Sequence, residues 1–200
     1  MTENAAGADA MSPVEALIVV DAQVAFMTGE EAAPAAAELQ VQLKSLLSRA
    51  REAGAVIVHL QNDGAPGTAD EPGTPGWELH LPVESGPRET VIRKEEDNGF
   101  EGTRLGDLLV EEGVRSIVVC GLMSEMCVLA TARAALERDY RVVLPHDAHA
   151  TYDVPAGPGS DAVSAAMASR VAEWALGDEI EIVARACEVP FAERLVTSGE

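Results

Sequence analysis

Short apolar runs alternate with longer amphipathic segments along most of this chain. Six of the runs have the length and the β-branched character of buried strands: EALIVV (15–20), AVIVHL (55–60), TVIRK (90–94), SIVVCG (116–121), YRVVLPHDA (140–148) and EIEIVA (179–184). Four intervening segments carry apolar residues at helical spacing: 34–54, 103–113, 124–139 and 161–176. Strands that are apolar on both faces and separated by helices indicate parallel βαβ units. The pattern therefore predicts an α/β fold, built as three α/β/α layers around a six-stranded, mainly parallel sheet.

The domain organisation follows from where this pattern begins and ends. A chain of 200 residues suits one domain, which we place at 14–190, with a disordered N-terminal tail at 1–13 and a C-terminal tail at 191–200. One connection, 61–89, is rich in Gly and Pro and contains Trp77. Loops beyond ~12–15 residues are often functional, so this one is predicted to be either a lid over the site or a subunit contact.

The net charge of the chain limits the kinds of molecule it can bind. It carries 34 acidic and 14 basic residues, a net charge of −20. Such a surface repels the phosphate backbone, so nucleic acid is excluded as a partner. The negative charge either keeps the protein soluble or attracts a small cationic substrate.

Compartment is inferred from the apolar runs and the cysteines. No run approaches the ~20 apolar residues that span a bilayer, and the first residues lack a signal-peptide pattern. The odd count of three cysteines, Cys120, Cys127 and Cys187, indicates free thiols in a reducing compartment, and the lack of a C-x-x-C pair leaves a zinc ribbon unsupported. We therefore expect a cytoplasmic protein with no membrane partner.

Three reactive side chains stand where strands of the predicted sheet end. Asp21 follows the first strand, Lys94 closes the third, and Cys127 lies in the first turn of the helix after the fourth. Ligands of open parallel sheets bind beyond the carboxyl ends of the strands, so these side chains are predicted to converge there. Individually, each has an ordinary alternative: a core thiol, an aspartate that caps a turn, and a solvated lysine.

The position of Cys127 suits a nucleophile. If Ser124 is the N-cap, Cys127 is the third helical residue, where the helix dipole and unpaired N–H groups favour a thiolate and can hold an oxyanion. Asp21 can take the thiol proton and return it to a leaving amine. Lys94 would keep Asp21 ionised.

The histidines in LPHDAHATYD are weaker candidates. His146 and His149 follow the fifth strand and could border the pocket, but two histidines three residues apart are poor support for zinc. We expect both to form pocket wall or to be structural. A Rossmann-type cofactor site is also unsupported, because DAQVAF stands where a G-x-G-x-x-G motif would follow the first strand.

Three motifs resemble those of the isochorismatase-like cysteine hydrolases, a superfamily that includes nicotinamidases and N-carbamoylsarcosine amidases. They are LIVVDAQVAF, VIRKEEDNGFEGTRL and VVCGLMSEMCVLATARAAL, in this order between about residues 14 and 185. The resemblance implies a catalytic triad of Asp21, Lys94 and Cys127. It also implies a cis peptide between Met123 and Ser124, which would aim a backbone N–H, together with that of Cys127, at the oxyanion.

The departures from the family pattern concern metal and substrate. Nicotinamidases carry an Asp and two His that bind a metal after the second strand; HLQNDGAPGTADEPGTPGWELH lacks that spacing, so we expect no metal and no cofactor. True isochorismatases cleave a vinyl ether, recognise a polyanion and need no thiol. The presence of a thiol and the net charge of −20 both argue against that reaction here. The stretches around GLMSEMC and HDAHATYD look most like a branch that contains streptothricin hydrolases, which open a lactam in a polycationic antibiotic.

The predicted function is therefore an amidohydrolase that cleaves a non-peptide C–N bond of a small, cationic molecule through a thioester. The alternatives are a nicotinamidase-like or carbamoyl amidase, and a non-catalytic binding or assembly protein on the same scaffold. The resembled family implies a homo-oligomer, a dimer or larger. Six residues are candidates for substrate contact: Gln23, Phe26, Trp77, Asn98, Phe100 and Tyr152.

Overall fold

Seven parallel strands form the middle layer of the structure, a computed structural model that describes residues 11–84 and 86–193. In chain order the strands are β1 (Ala16–Val20), β2 (Val56–Asn62), β3 (Glu89–Lys94), β4 (Ser116–Leu122), β5 (Arg141–Pro145), β6 (His149–Ala150) and β7 (Glu181–Val183). Their spatial order is β3-β2-β1-β4-β5-β7, and β6 pairs with the end of β4. The prediction of six strands missed β6, because a strand of two residues carries no alternation to detect.

Five helices accompany the sheet in the described part of the chain. They are α1 (Val24–Met27), α2 (Ala36–Ala53), α3 (Leu105–Glu111), α4 (Leu129–Leu136) and α5 (Ala165–Ala175). The predicted helix at 124–139 is wrong in its first turn. Residues Ser124–Val128 form a separate π-helical turn, in which Met126 leaves helical geometry at φ −112° and ψ −106°.

The alternation of β1 places its side chains in two cores. Leu17 and Val19 belong to a cluster on the α2 side, while Ile18 and Val20 face the cluster that contains residues of α3 and α4. Both faces of the sheet are therefore covered, which explains why the strand is apolar throughout. The predicted three-layer α/β/α fold class is confirmed.

The α2 helix shows how local sequence and packing agree. Leu39, Leu43, Leu46 and Leu47 are at most 2% exposed and form the stripe that packs on the sheet. The helix ends at Gly54, whose φ of 67° is left-handed and suits a residue without Cβ.

The predicted tails lie partly outside the described residues, which exclude 1–10 and 194–200. The described parts contact the domain: Arg141 Nη2 donates to Ser12 O at 2.7 Å, and Ala192 N donates to Val14 O at 2.8 Å. Among the described helices, none combines the length and apolar character that crossing a membrane requires.

The packing of α2 yields a stability prediction. Leu46→Ala should lower the free energy of unfolding by about 2–5 kcal/mol, because the fully buried side chain leaves a cavity. Val41→Ala, on the same helix but 62% exposed, should change it by less than about 0.5 kcal/mol. Urea denaturation of both variants checks this, and equal losses would contradict the assignment of the buried face.

Candidate active site

Three side chains from distant parts of the sequence meet at the carboxyl edge of the sheet. Lys94 Nζ lies 2.9 Å from Asp21 Oδ2 and 3.3 Å from Cys127 Sγ. All three residues are buried, with exposures of 1% for Asp21, 2% for Lys94 and 6% for Cys127. The structure therefore brings together the carboxylate, ammonium and thiol that the strand ends predicted.

Close pairing of the central strands sets these positions. Asp21 directly follows β1 and donates its N–H to Leu60 O at 3.0 Å, and its φ of 47° is left-handed. For a residue with a Cβ, such backbone costs ~1–3 kcal/mol and is typical of functional sites. Gly121 allows β4 to approach β1, since a Cβ there would lie 2.0 Å from Val20 O.

Lys94 is held by further partners that sequence reasoning missed. It lies opposite Asn62 in the β2–β3 register, and Nζ donates to Asn62 Oδ1 at 3.3 Å and to Glu96 O at 3.2 Å. Asn62 in turn donates to Asp70 Oδ2 at 2.6 Å, which fixes the amide. Asn62 and Asp70 carry no motif of their own, so only their contacts reveal this role.

The protonation of the group follows from burial and charge. Burial raises the pKa of Asp21, and the Lys94 ammonium opposes this rise without cancelling it. Burial and the Asp21 carboxylate also raise the pKa of the Cys127 thiol, with Lys94 again opposing. Burial thus opposes the thiolate that the helix dipole was expected to favour, and Cys127 lies in a short π turn rather than in the first turn of a long helix.

The buried carboxylate keeps one oxygen available. Asp21 Oδ2 contacts Lys94, while Oδ1 is buried and has no hydrogen-bond partner among the described residues. An unpaired buried acceptor costs free energy, and a catalytic role is one explanation for keeping such an atom. Outside the predicted triad, Asp97 Oδ1 lies 3.5 Å from Cys127 Sγ and adds a second carboxylate at the thiol.

The turn before Cys127 differs from the prediction in two respects. The cis peptide joins Leu122 to Met123, not Met123 to Ser124, because β4 continues through Leu122, which pairs with Ala150, and the chain turns at the next peptide. Ser124 is not an N-cap; its hydroxyl is buried between His149 Nδ1, at 2.8 Å, and Ser169 Oγ, at 2.9 Å.

Two of the six predicted substrate contacts are buried and engaged with other parts of the protein. Gln23 is fully buried. Its Nε2 donates to Asn62 O and Trp77 O, and its Oε1 accepts from Asn62 N, all at 2.9–3.0 Å, so this side chain connects β2 to the 61–89 loop. Phe100 is 8% exposed and packs in the core, 6.2 Å from the Tyr140 ring. The Gly99 N–H, which donates to Thr131 Oγ1 at 3.0 Å, holds the chain in this course.

The other four candidates are half-buried near the same edge. Trp77 Nε1 donates to Asp63 Oδ1 at 2.9 Å, and Arg93 lies over the Trp77 ring. Asn98 Oδ1 accepts from Phe100 N at 3.0 Å, Phe26 packs against the α2-side core, and Tyr152 Oη donates to Glu31 O at 2.8 Å.

The 61–89 loop folds back onto this edge. Its backbone accepts hydrogen bonds from α1, with Val24 N donating to Glu78 O at 2.8 Å and Ala25 N donating to Gly76 O at 2.9 Å. The loop is thus anchored beside Asp21.

An open cavity of about 630 Å³ reaches Lys94 from solvent. Its lining is mostly charged: Asp63, Arg93, Lys94, Glu95, Glu96, Glu101 and Gly102. Arg93 is paired with Asp63 at 2.6 Å and Lys94 with Asp21, so three exposed glutamates give the cavity its negative character.

A family model, the isochorismatase domain, matches residues 15–175. The chain belongs to the isochorismatase family. Two streptothricin hydrolases of Streptomyces noursei are each 66% identical to it, over 92% and 89% of this chain and 74% and 65% of theirs. An isochorismatase from Pseudomonas putida KT2440 superposes with a TM-score of 0.80 at 29% identity, covering 90% of this chain and 93% of that one. A cysteine hydrolase from Pseudomonas syringae pv. phaseolicola 1448A gives 0.77 at 25%, covering 90% and 92%.

Membership of the isochorismatase family confirms the resemblance seen in the three motifs and the predicted fold class. It also confirms the predicted class of enzyme, a hydrolase acting on carbon–nitrogen bonds other than peptide bonds.

The ion pair of this isochorismatase-family site yields a pH prediction. Lys94→Met should destabilise the protein by about 3–5 kcal/mol at pH 7, because it leaves the Asp21 carboxylate buried without its cation. The substitution raises the already elevated pKa of Asp21 further. A folded-state pKa above the unfolded value favours folding at low pH. Because the pKa of Asp21 is already raised in the parent protein, the deficit of the variant should grow as pH rises above that raised value.

Chemical denaturation between pH 4 and 8 measures this deficit. Lys44→Met, which removes an exposed lysine on α2, serves as the control and should show no comparable growth with pH. A deficit for Lys94→Met that is constant across this range would contradict the proposed electrostatic origin.

Proposed function

We propose that this protein hydrolyses a lactam or amide of a small cationic molecule of the streptothricin type, with Cys127 as nucleophile. The observation that carries the proposal is the buried contact of Lys94 Nζ with both Asp21, at 2.9 Å, and the Cys127 thiol, at 3.3 Å, beside an acid-lined cavity. A thiol, a base and a fixed cation are the parts that nucleophilic amide hydrolysis requires.

The first half of the reaction forms a thioester. Asp21 Oδ1 takes the thiol proton as Sγ attacks the carbonyl carbon, so that the C–S bond forms and the carbonyl electrons move to the oxygen. The Cys127 N–H is the proposed donor to this oxyanion, since the N–H groups of Met126 and Val128 already donate to Met123 O. When the C–N bond breaks, Asp21 delivers its proton to the departing amine.

The second half releases the acid. Asp21 removes a proton from water, whose oxygen attacks the thioester carbonyl, and the C–S electrons return to sulfur, which regains the proton. Lys94 keeps its charge throughout, because contact with Asp21 and Cys127 raises its pKa above the ordinary lysine value despite burial. A raised pKa of Asp21 makes this carboxylate a stronger base than a solvated one.

Two properties support a cationic substrate. The similar proteins of Streptomyces noursei are streptothricin hydrolases, and the chain has a net charge of −20. Around the cavity, exposed Glu95, Glu96 and Glu101 would concentrate positive charge beside Lys94. The field of these glutamates attracts a cationic substrate over about a Debye length, ~8–10 Å. The buried Lys94 lies beside the reacting carbonyl, which is neutral, so its repulsion of the charged parts of the substrate is small.

Assembly and location belong to the same proposal. On α5, Met167, Val171 and Trp174 are 62%, 60% and 76% exposed and share one helical face, which supports a homo-oligomer. The free thiols of Cys120, Cys127 and Cys187 support a cytoplasmic protein.

Mass spectrometry tests the nucleophile. Incubation with streptothricin should add an acyl mass to the peptide that contains Cys127, because the thioester is a covalent intermediate. Cys127→Ala should lose the adduct and at least about 10³-fold in kcat while keeping its unfolding transition. Cys187→Ser, which removes an exposed thiol, should retain both. Turnover by Cys127→Ala at the rate of the parent protein would refute this mechanism.

Charge substitution tests the substrate class. Glu95→Gln/Glu96→Gln should lower kcat/KM for streptothricin about three- to tenfold at low salt, because it removes two charges from the cavity. The difference should shrink toward unity at about 0.5 M NaCl. The matched pair Glu38→Gln/Glu137→Gln removes two exposed charges elsewhere and should have a smaller effect. Equal losses in both double variants would show that only net charge matters.

A further inference from the structure

A second group of ligand-type side chains lies next to the catalytic turn and shares no residue with the triad. His146, His149 and Glu173 come from the turn after β5, from β6 and from α5. Their donor atoms all lie within 4.8 Å of one another. His146 Nδ1 and His149 Nε2 are 2.5 Å and 3.1 Å from the same carboxylate oxygen, Glu173 Oε1.

The surroundings of this group favour a positive ion. The Glu173 side chain is 2% exposed and that of His149 is 1% exposed, so the carboxylate is largely removed from water. Its nearest fixed cation is Arg170 Nη1, 3.5 Å from Oε2 on a side chain that is 57% exposed. Buried charges are paired or coordinate metals. The two histidines pair with Glu173 as cations only when protonated, so with neutral imidazoles one solvated guanidinium compensates this carboxylate only weakly.

The second ring nitrogen of the buried His149 also has a hydrogen-bond partner. His149 Nδ1 is 2.8 Å from Ser124 Oγ, which in turn is 2.9 Å from Ser169 Oγ. Both serines are buried. Metal-binding histidines almost always have their second ring nitrogen fixed by such a partner, which orients the ring and directs the free nitrogen to the metal.

We propose that His146 Nδ1, His149 Nε2 and the Glu173 carboxylate bind Zn²⁺. Two histidines and one glutamate form a donor set that zinc accepts in tetrahedral geometry, with water as the fourth ligand. The His146 side chain is 52% exposed, which leaves an open side for that water and a path of entry.

Zinc binding requires the half-exposed His146 imidazole to move, while His149 and Glu173 can stay in place. Ligands at ~2.0–2.1 Å from a tetrahedral zinc ion are roughly 3.3 Å apart. The His149–Glu173 separation of 3.1 Å is already close to that value. The 2.5 Å separation to His146 must widen, and the half-exposed imidazole of that residue can move outward.

The ion would act on the catalytic turn through one hydrogen bond. Ser124 begins the π turn that contains Cys127, and zinc on Nε2 would fix His149 Nδ1 as the donor to Ser124 Oγ. Bound zinc should therefore stabilise this turn. The site is structural or regulatory rather than part of the amide hydrolysis, whose reacting atoms belong to other residues.

Isothermal titration with ZnCl₂ tests the site directly. The full chain carrying Cys127→Ala and Cys187→Ser, which removes the thiol beside Lys94 and the exposed thiol as competing ligands, should bind one Zn²⁺ per chain. The Tm should rise with zinc concentration, because an ion that binds only the folded state stabilises it. Adding His146→Ala should weaken binding at least about tenfold and reduce the shift in Tm.

The control in the same background is His80→Ala, a half-buried histidine that lies outside the group and contacts Gln40. It should bind zinc as tightly as the parent. Glu173→Gln should also weaken binding, but since Glu173 is buried, His146→Ala is the decisive variant. Absence of stoichiometric zinc, or unchanged affinity in His146→Ala, would overturn the proposal and leave these residues as a hydrogen-bonded cluster. Because the readouts are bound metal and Tm, they are independent of whether streptothricin is the substrate.

Discussion

The buried ion pair between Asp21 and Lys94 is the interaction on which the rest of the site depends. Two charges at 2.9 Å, with side-chain exposures of 2% and 0%, have lost most of their hydration. Removing such charges from water costs several kcal/mol per ion, and apolar residues of similar volume often stabilise a fold as well or better. The pair is therefore poorly explained by stability, and its contact with a thiol supplies the chemical explanation.

The Asp21–Lys94 pair also influences the protonation of the Cys127 thiol. The Lys94 ammonium stabilises the charged Asp21 carboxylate in spite of burial. That carboxylate in turn raises the pKa of the Cys127 thiol. Burial and the neighbouring carboxylate both favour the neutral thiol over a stored thiolate. Such an arrangement couples loss of the thiol proton to attack on a bound carbonyl, which protects the sulfur from reaction in the absence of substrate.

Short-range and long-range electrostatics are separated in this molecule. The reacting group is dry and held by fixed partners, including Asn62, whose position depends on Asp70. The glutamates of the cavity are exposed, so each contributes little to folding while all contribute to the field that a charged ligand meets. Substrate preference can therefore change through surface residues without disturbing the buried group.

Periodicity was sufficient to predict the fold class and the meeting of Asp21, Lys94 and Cys127. Burial on both faces of a parallel sheet leaves continuous apolar runs, and the carboxyl ends of those runs share one edge. The two-residue strand β6, the break at Met126 and the position of the cis peptide have no such periodic signal. Gln23 and Phe100 lie within the motifs and were predicted to contact substrate, yet their side chains turn into the interior, since the direction of a side chain depends on partners distant in sequence. For the same reason, Glu173 becomes a neighbour of His146 and His149 only when α5 packs against the end of the sheet.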